Sequence, residues 1–450
     1  MVSPIVSLQA PKDVSIDEIE AELRSLWQSQ GGDEDAAAVT RAATFSLIVY
    51  EPDGTQQLLA SLGFYTGPID GIAGPRTEAA IKAAQKAYSM EVTGKSDEAL
   101  INKLQTEFAQ VKAEDKLTLE NKTAAVSYSP DSQGATADAI AASNPCRIVT
   151  LCPILGEDTG VKVQVSAYCP ISKQSKNTLV CCEYITLSGT AEALERIGGI
   201  IAALAIADLP KFVWWKATPT PEHPLFQRLV SASDTVIFDS SSFVHPEADL
   251  KSLAKLVKQD TALADINWRR LAPWQELSAA AFDPPERRKA IYEVDQVTID
   301  YERGNHSQAL MFLGWLASRL KWTPVAYQFE GGDYDIRKVK LTDDKQRAIE
   351  VELAGIPTAD WGDIPGDLVS LRLTSTNEEA DCCTVLCSST TGCMRMEAGG
   401  GAQSCYIEQV TPLFDQNTEN LLGQQLQRWG REMLYEESMA VADKILQLAE

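Results

Sequence analysis

The side chains with the widest chemical scope in this chain are its ten cysteines. They fall into two groups: Cys146, Cys152, Cys169, Cys181 and Cys182, then Cys382, Cys383, Cys387, Cys393 and Cys405. No C-x-x-C occurs, and no two pairs have zinc-ribbon spacing. One pair stands out. Cys387 and Cys393 are separated by Ser-Ser-Thr-Thr-Gly, and the runs Cys383–Cys387 and Cys393–Met396 on either side have strand character. In a hairpin the two cysteines would lie near each other across the strands. Directly opposed residues that are not hydrogen-bonded have Cα atoms about 4.5 Å apart, inside the range of about 4.4–6.8 Å that a disulfide spans. Cys387 and Cys393 are therefore the candidate redox pair. Two reduced cysteines at a turn fit the same spacing. The vicinal pairs Cys181-Cys182 and Cys382-Cys383 point to opposite faces of a strand and make poor internal bridges. Most of the cysteines are expected to behave as small buried hydrophobes and not as a structural disulfide scaffold.

Signals for enzyme chemistry are absent or false. Thr93-Gly94-Lys95-Ser96 mimics the end of a phosphate-binding loop. The first glycine of G-x-x-x-x-G-K-S would fall at Ser89, and no strand precedes it. Gly399-Gly400-Gly401 lies between two strand-like runs and reads as a hairpin turn. No G-x-S-x-G elbow and no H-E-x-x-H helix occurs. His223, His245 and His306 stand apart, and three histidines are few for a His-built metal site. No catalytic, cofactor-binding or metal-ligating residue is assigned, and no cofactor is expected. Phe212-Val213-Trp214-Trp215 ends a strand on two tryptophans that point to opposite faces. One fits a core. The other fits the carboxyl end of a sheet, where α/β proteins meet ligands or partners. Trp214, Trp215 and Arg147 are the candidates for a partner interface.

Positioning these residues takes several domains, since 450 residues suggest about three at roughly 150 each. Residues 15–30 carry Ile16, Ile19, Leu23, Leu26 and Trp27 at helical spacing, with Ser15 and Glu18 as a capping box. Thr44–Tyr50 reads as a buried strand ending at Glu51-Pro52. Residues 55–104 form three helical segments punctuated by Gly63, Gly67, Gly71 and Gly74, with Pro75 at a helix start. Residues 105–143 read as a helix extension and then a flexible linker. From Asn144, strands at 146–152, 161–168, 183–187, 211–215 and 235–239 alternate with helices at 190–206, 222–231 and 247–258, which indicates a largely parallel sheet. After Asp283-Pro284-Pro285, meandering strands around one helix at 305–320 read as α+β with an antiparallel sheet. An amphipathic helix over 416–448 closes the chain. The fold class is multi-domain α/β and α+β. Residues 1–50 plus 144–283 form an α/β domain, 55–110 a three-helix insertion, 111–143 a linker and 284–450 an α+β domain.

Charge narrows the partners. Forty Lys and Arg against 63 Asp and Glu give a net charge of −23. Such a surface is repelled by phosphate backbones and anionic membranes, so neither nucleic acid nor membrane is expected as a partner. The N-terminus has no basic segment, apolar stretch and cleavage site of a secretory signal. The apolar run Ile197–Ala207 is about half the ~20 residues of a membrane span. A cytoplasmic location is expected.

Two resemblances follow. Gly67, Ile69, Asp70, Gly71, Gly74, Pro75 and Thr77 match the G-x-(I/V)-D-G-x-x-G-P-x-T pattern, so residues 55–104 resemble a peptidoglycan-binding-like three-helix domain. Ala84 stands before Gln85 where that domain usually has an aromatic residue. The remainder resembles the OpcA family of glucose-6-phosphate dehydrogenase assembly proteins of cyanobacteria and actinobacteria. The carrying segments are the N-terminal helix with 41–50, Asn144–Val149, Leu209–Trp215 and Asp234–Ser240. The combined architecture is similar to the cyanobacterial form. The resemblance implies a non-enzymatic partner that binds and activates glucose-6-phosphate dehydrogenase, under redox control through thioredoxin. The competing readings are an α/β enzyme using a sugar phosphate or nucleotide, which would need a glycine-rich strand–helix turn or a perturbed carboxylate pair, and a cell-wall-associated binder, which would need export.

Overall fold

Strands buried on both faces need unbroken apolar runs. Phe45–Tyr50 is such a run, buried at all six positions, and it sits at the middle of the first sheet of the computed structural model. The structure describes residues 5–29, 38–41, 43–114, 125, 140, 145–170, 178–285, 287–357, 364–377, 379–380, 382–389, 393–400, 404–412 and 417–449. The chain divides into two compact units: Met1–Phe238 with Thr261–Leu263 and Thr418–Gly430, and Asp239–Asp260 with Ala264–Asn417 and Arg431–Glu450.

The first sheet takes Ile5–Val14 (β1), Ala38–Arg41 (β2), Phe45–Tyr50 (β3), Cys146–Pro153 (β4), Lys162–Pro170 (β5), Thr178–Gly189 (β6), Lys211–Trp215 (β7), Thr235–Phe238 (β8) and Leu263–Asp265 (β9). Their order is β1-β5-β6-β4-β3-β7-β8-β9, with β2 also on β6. The pairs β6–β4, β4–β3, β3–β7 and β7–β8 are parallel, while β5 and β1 add antiparallel strands on the far side of β6. Counting β3, β4, β6, β7, β8 and β9 in chain order, the spatial order is 3-2-1-4-5-6, the doubly wound arrangement.

The helices around it are Ile19–Ser29 (α1), Thr55–Ser61 (α2), Pro75–Ala87 (α3), Glu98–Ala113 (α4), Ala191–Arg196 (α5), Gly198–Leu204 (α6) and Pro224–Ser231 (α7). Ser15 and Glu18 form a capping box on the 3-10 turn Ile16–Glu18 that leads into α1, with the Ser15 N–H donating to the Glu18 carboxylate at 3.1 Å. Helices α2, α3 and α4 form the three-helix insertion around Leu58, Ile81, Ala84, Leu100 and Leu104. Most of the expected linker at 111–143 lies outside the described residues, although α4 runs into it as far as Ala113.

Two expectations are corrected in this unit, and strand β1 comes in addition to the expected strands. The single helix expected over 190–206 is broken at Ile197, before Gly198-Gly199. The expected boundary at 283/284 is not where the compact units divide, because 239–260 and 264–283 are tied to the second unit. The Asn305 side-chain amide donates to the carbonyls of Ser240, Ser241 and Phe243 at 2.9–3.1 Å. Lys258 pairs with Asp443 at 2.6 Å, and the Trp268 indole donates to Glu432 at 2.8 Å.

The second unit carries Pro246–Lys258 (α8), Ile266–Arg270 (α9), Ala272–Ala280 (α10) and Ser307–Leu320 (α11), and eight strands. These are Gln296–Glu302 (β10), Thr323–Gly331 (β11), Ile336–Thr342 (β12), Ala348–Ile356 (β13), Leu368–Thr374 (β14), Cys383–Ser389 (β15), Cys393–Gly400 (β16) and Ser404–Pro412 (β17), in the order β11-β12-β13-β10-β14-β15-β16-β17. All neighbours are antiparallel except β10 and β13, which run parallel because β10 leaves through α11 before the meander β11-β12-β13 returns. The closing helix expected over 416–448 is two, Thr418–Gln425 (α12) in the first unit and Met433–Gln447 (α13) in the second, separated by Gly430 at φ +89°. Helix α11 is buried along most of its length and crosses α13 closely enough that the Ser438 hydroxyl donates to the Met311 carbonyl at 2.6 Å.

Candidate functional site

Strict alternation makes the two faces of the second sheet unlike. Val297, Ile299 and Tyr301 of β10, Val339 and Leu341 of β12, Val351 and Leu353 of β13 and Leu371 and Leu373 of β14 are buried. The residues between them form a polar outer face. Cross-strand register lines up Lys338, Glu352, Thr298, Arg372, Val385 and Glu397 in one row. The next row holds Asp300, Ser370, Cys387 and Arg395. Rows of mixed charge on a broad sheet are suited to recognising another protein surface, because they reward one docking register and penalise others.

Cys387 of the candidate redox pair belongs to this face. On β15, Thr384 and Leu386 are buried and Cys387 is exposed. Below it, buried Arg287 reaches the Thr384 hydroxyl and the Cys383 carbonyl, each at 3.4 Å, and anchors the strand. Burial, with the Glu293 charge nearby, pushes the Cys382 thiol up to about 11. The register corrects one expectation. Cys387 lies opposite Arg395, and Cys393 lies opposite Ser389, so the pair is diagonal and not directly opposed. The strands extend two residues beyond Cys387, which shortens the loop and shifts the pairing. Diagonal neighbours lie about 7–8 Å apart, just beyond disulfide reach. The hairpin is also not at the sheet edge, since β17 pairs outside β16. The side chain of Cys393 lies outside the described residues.

The three partner-interface candidates are all in the first unit and all buried. Trp214 is 3% exposed, Trp215 1% and Arg147 4%. The two tryptophans do point to opposite faces, but a doubly wound sheet is covered on both, so each is packed. Arg147 bonds the Glu183 carboxylate at 2.7 Å, Glu20 at 2.7 Å and the Leu204 carbonyl at 2.9 Å. A direct role at a surface does not follow from these positions. Cys181 is disulfide-bonded, one exception to the expectation that most of the cysteines are small buried hydrophobes.

Two buried polar clusters in the second unit were not picked out from the sequence. In the first, Arg270 grips Asp239 with two bonds of 2.7 and 2.9 Å. Burial raises the Asp239 carboxyl, but the guanidinium outweighs it and holds the group below the usual range. Asp265 is pushed up to about 6 by burial and by the Asp239 charge, and burial also raises Asp367. The Gln308 amide bridges Asn267 and Asp367 at 2.7 Å each. In the second cluster, Glu247 accepts from Tyr327 at 2.7 Å and lies 3.3 Å from His306. The His306 contact, Tyr327 and Arg337 hold Glu247 down at about 2 despite desolvation, while burial keeps His306 below its usual value. No single motif marks these groups, because they come from seven separate segments. Among the described residues no cluster of His, Cys, Asp and Glu could hold a metal ion, and no helix is long and apolar enough to cross a membrane.

Comparison with known proteins gives three family matches. Residues 137–255 match the glucose-6-phosphate dehydrogenase subunit N-terminal domain, 261–439 the corresponding C-terminal domain, and 55–104 a peptidoglycan binding domain. A Synechocystis sp. protein named "Putative OxPP cycle protein OpcA" is 60% identical over 99% of this chain and 94% of its own length. Proteins of the same name from Nostoc punctiforme and Synechococcus elongatus are 57% and 51% identical, covering 99% and 98% of this chain and 96% and 97% of theirs. Among solved structures, a Clostridium difficile dehydrogenase aligns with a TM-score of 0.32 and 11% identity over 52% of this chain and 77% of its own. An aldose-aldose oxidoreductase from Caulobacter crescentus aligns at 0.34 and 16% over 62% and 83%. Similarity at that level does not extend to chemistry.

Proposed function

The chain belongs to the OpcA family of glucose-6-phosphate dehydrogenase subunits, and from that premise we propose that it is a non-catalytic assembly factor and allosteric activator of glucose-6-phosphate dehydrogenase in the oxidative pentose phosphate pathway. The observation that carries the reading is the extent of the likeness, since relatives share both family domains and the inserted unit over nearly the whole chain. The dehydrogenase is bound through the outer face of the second sheet, in the cytoplasm. An activator must bind the active shape of its target more tightly than the inactive one. Tenfold activation by this route needs a differential of about 1.4 kcal/mol.

Redox tuning resides in Cys387 and Cys393. Their diagonal register means that closing a disulfide must pull the hairpin out of its described pairing, so the oxidised and reduced sheets present different outer faces. The oxidised pair holds the sheet in its binding-competent shape, and reduction by thioredoxin, a transient partner, weakens the complex. The test is co-purification with the dehydrogenase, then titration with and without reductant, for the native chain and for Cys387→Ser with Cys393→Ser. Binding that depends on reductant in the native chain and not in the variant is expected. No association, or equal redox sensitivity in both chains, contradicts the reading.

A further inference from the structure

The doubly wound order places a switch point between β3 and β7, and in such sheets ligands bind in the crevice beyond the carboxyl ends of those strands. Here the chain itself fills that crevice. Tyr50 ends β3 and Trp215 ends β7. Their rings stack with centroids 3.7 Å apart and planes 1° from parallel, and both are buried. Above them sits the Ile69-Asp70-Gly71 turn of the three-helix unit. The Tyr50 hydroxyl donates to the Asp70 carbonyl at 2.8 Å. The Thr218 N–H donates to the Ile69 carbonyl at 2.7 Å, and the Thr218 hydroxyl accepts from the Ile69 N–H at 3.1 Å. At Gly71, which has φ +74°, a Cβ would stand 2.7 Å from Pro153, the last residue of β4, and 3.1 Å from Pro52, in the loop that leaves β3.

The turn is held in this shape from within the unit. Buried Gln56, on α2, accepts from the Asp70 and Gly71 N–H groups at 2.9 and 2.7 Å. Its amide nitrogen donates to the Asp70 carboxylate at 3.0 Å and to Ile72 and Thr77 at 3.2 Å.

The first crossover reinforces the point. A dinucleotide-binding sheet carries there a glycine-rich loop and a helix whose N-terminus faces the pyrophosphate. In this chain the loop reads Glu51-Pro52-Asp53-Gly54, and it leads into α2 of the inserted unit. The Asp53 carboxylate already accepts from the Thr55 and Leu155 N–H groups at 3.0 and 3.3 Å. Glu51 is paired with Lys216. Carboxylates thus take the donors that a phosphate would need, and their charge repels one.

We propose that the three-helix unit is a built-in occupant of the switch-point crevice: its Ile69-Asp70-Gly71 turn takes the position of a dinucleotide and clamps the ends of β3 and β7, so the unit binds its own host sheet and not a glycan. The inference does not depend on the dehydrogenase reading. Amide hydrogen exchange on the full chain tests it, with and without millimolar NAD or NADP, for the native protein, Thr218→Val and Gln56→Ala. Slow, matched exchange is expected in 69–72 and at the ends of β3 and β7, with no change on adding either dinucleotide. Thr218→Val leaves the Ile69 N–H without its acceptor and should speed exchange at all three places by about tenfold. Gln56→Ala changes no residue of the host sheet itself. If it loosens or unfolds the unit, the ends of β3 and β7 must lose protection with it. Retained protection there, fast exchange of 69–72 in the native chain, or protection by a dinucleotide would each overturn the proposal.

Discussion

Replacing Asp265 with Asn should make the second unit more stable at neutral pH. Asp265 is 1% exposed. Its Oδ1 accepts from the Ser240 and Asn267 N–H groups at 3.0 and 2.9 Å, and its Oδ2 has no hydrogen-bond partner among the described residues. The groups that interact with it are the Asp239 carboxylate, the Arg270 guanidinium, which also faces Asp367, and the Tyr435 phenol. Among the described residues the Arg270 guanidinium therefore serves three acids. Raising the carboxyl from 3.8 to about 6 costs about 3 kcal/mol of folded-state stability once the group is ionised. The folded value lies above the unfolded one, so the folded chain binds more protons between them. Stability from this group is complete at pH values below about 4 and declines as pH rises to about 6. Asn keeps the Oδ1 contacts and removes the ionisation. Urea unfolding at pH 4 and pH 7, followed by pulsed hydrogen exchange on peptides from α11 and β10, isolates the second unit. The variant should gain up to ~3 kcal/mol over the native chain at pH 7 and little or nothing at pH 4. An equal change at both pH values, or a larger loss at pH 7, refutes the reasoning.

Two further substitutions probe the scaffold. Gly314→Ala would place a Cβ 2.4 Å from the Ser438 carbonyl oxygen at the crossing of α11 and α13, and the forced separation should cost about 1–3 kcal/mol, read as a lower thermal midpoint. Arg147→Met would leave buried Glu183 without its guanidinium and should cost about 3–5 kcal/mol; adding Glu183→Leu should restore most of that in urea titration, and a double variant as unstable as the single one would show that the charge pair is not the cause.

Much of the scaffold was legible because its signals are local. Lys211–Trp215 appears as a strand with the expected bounds, since five residues without a turn former allow little else. Helix α8 begins at Pro246, where a proline at the first position announces a helix start. The breaks at Ile197 and Gly430 were missed although glycines marked both, because continuous apolar spacing on either side outweighed them. Strand β1 was hidden for a different reason: Ile5–Val14 contains Pro11 and several polar residues, and only its pairing with β5 makes it a strand. The cysteine register was not legible either. It depends on where β15 and β16 stop pairing, and one residue of difference in a hairpin shifts every opposed pair. The buried acids around Arg270 could not be separated from the solvated ones among 63 Asp and Glu, because a carboxylate's burial is set by segments distant in sequence.

We propose that this polypeptide acts by holding another protein in one shape. The most direct measurement is the glucose-6-phosphate saturation curve of the dehydrogenase at increasing concentrations of the chain, with the chain alone as control. A saturable shift of that curve toward higher activity and no turnover by the chain alone are expected. An unchanged curve at every concentration, or product formed without the dehydrogenase, would contradict it.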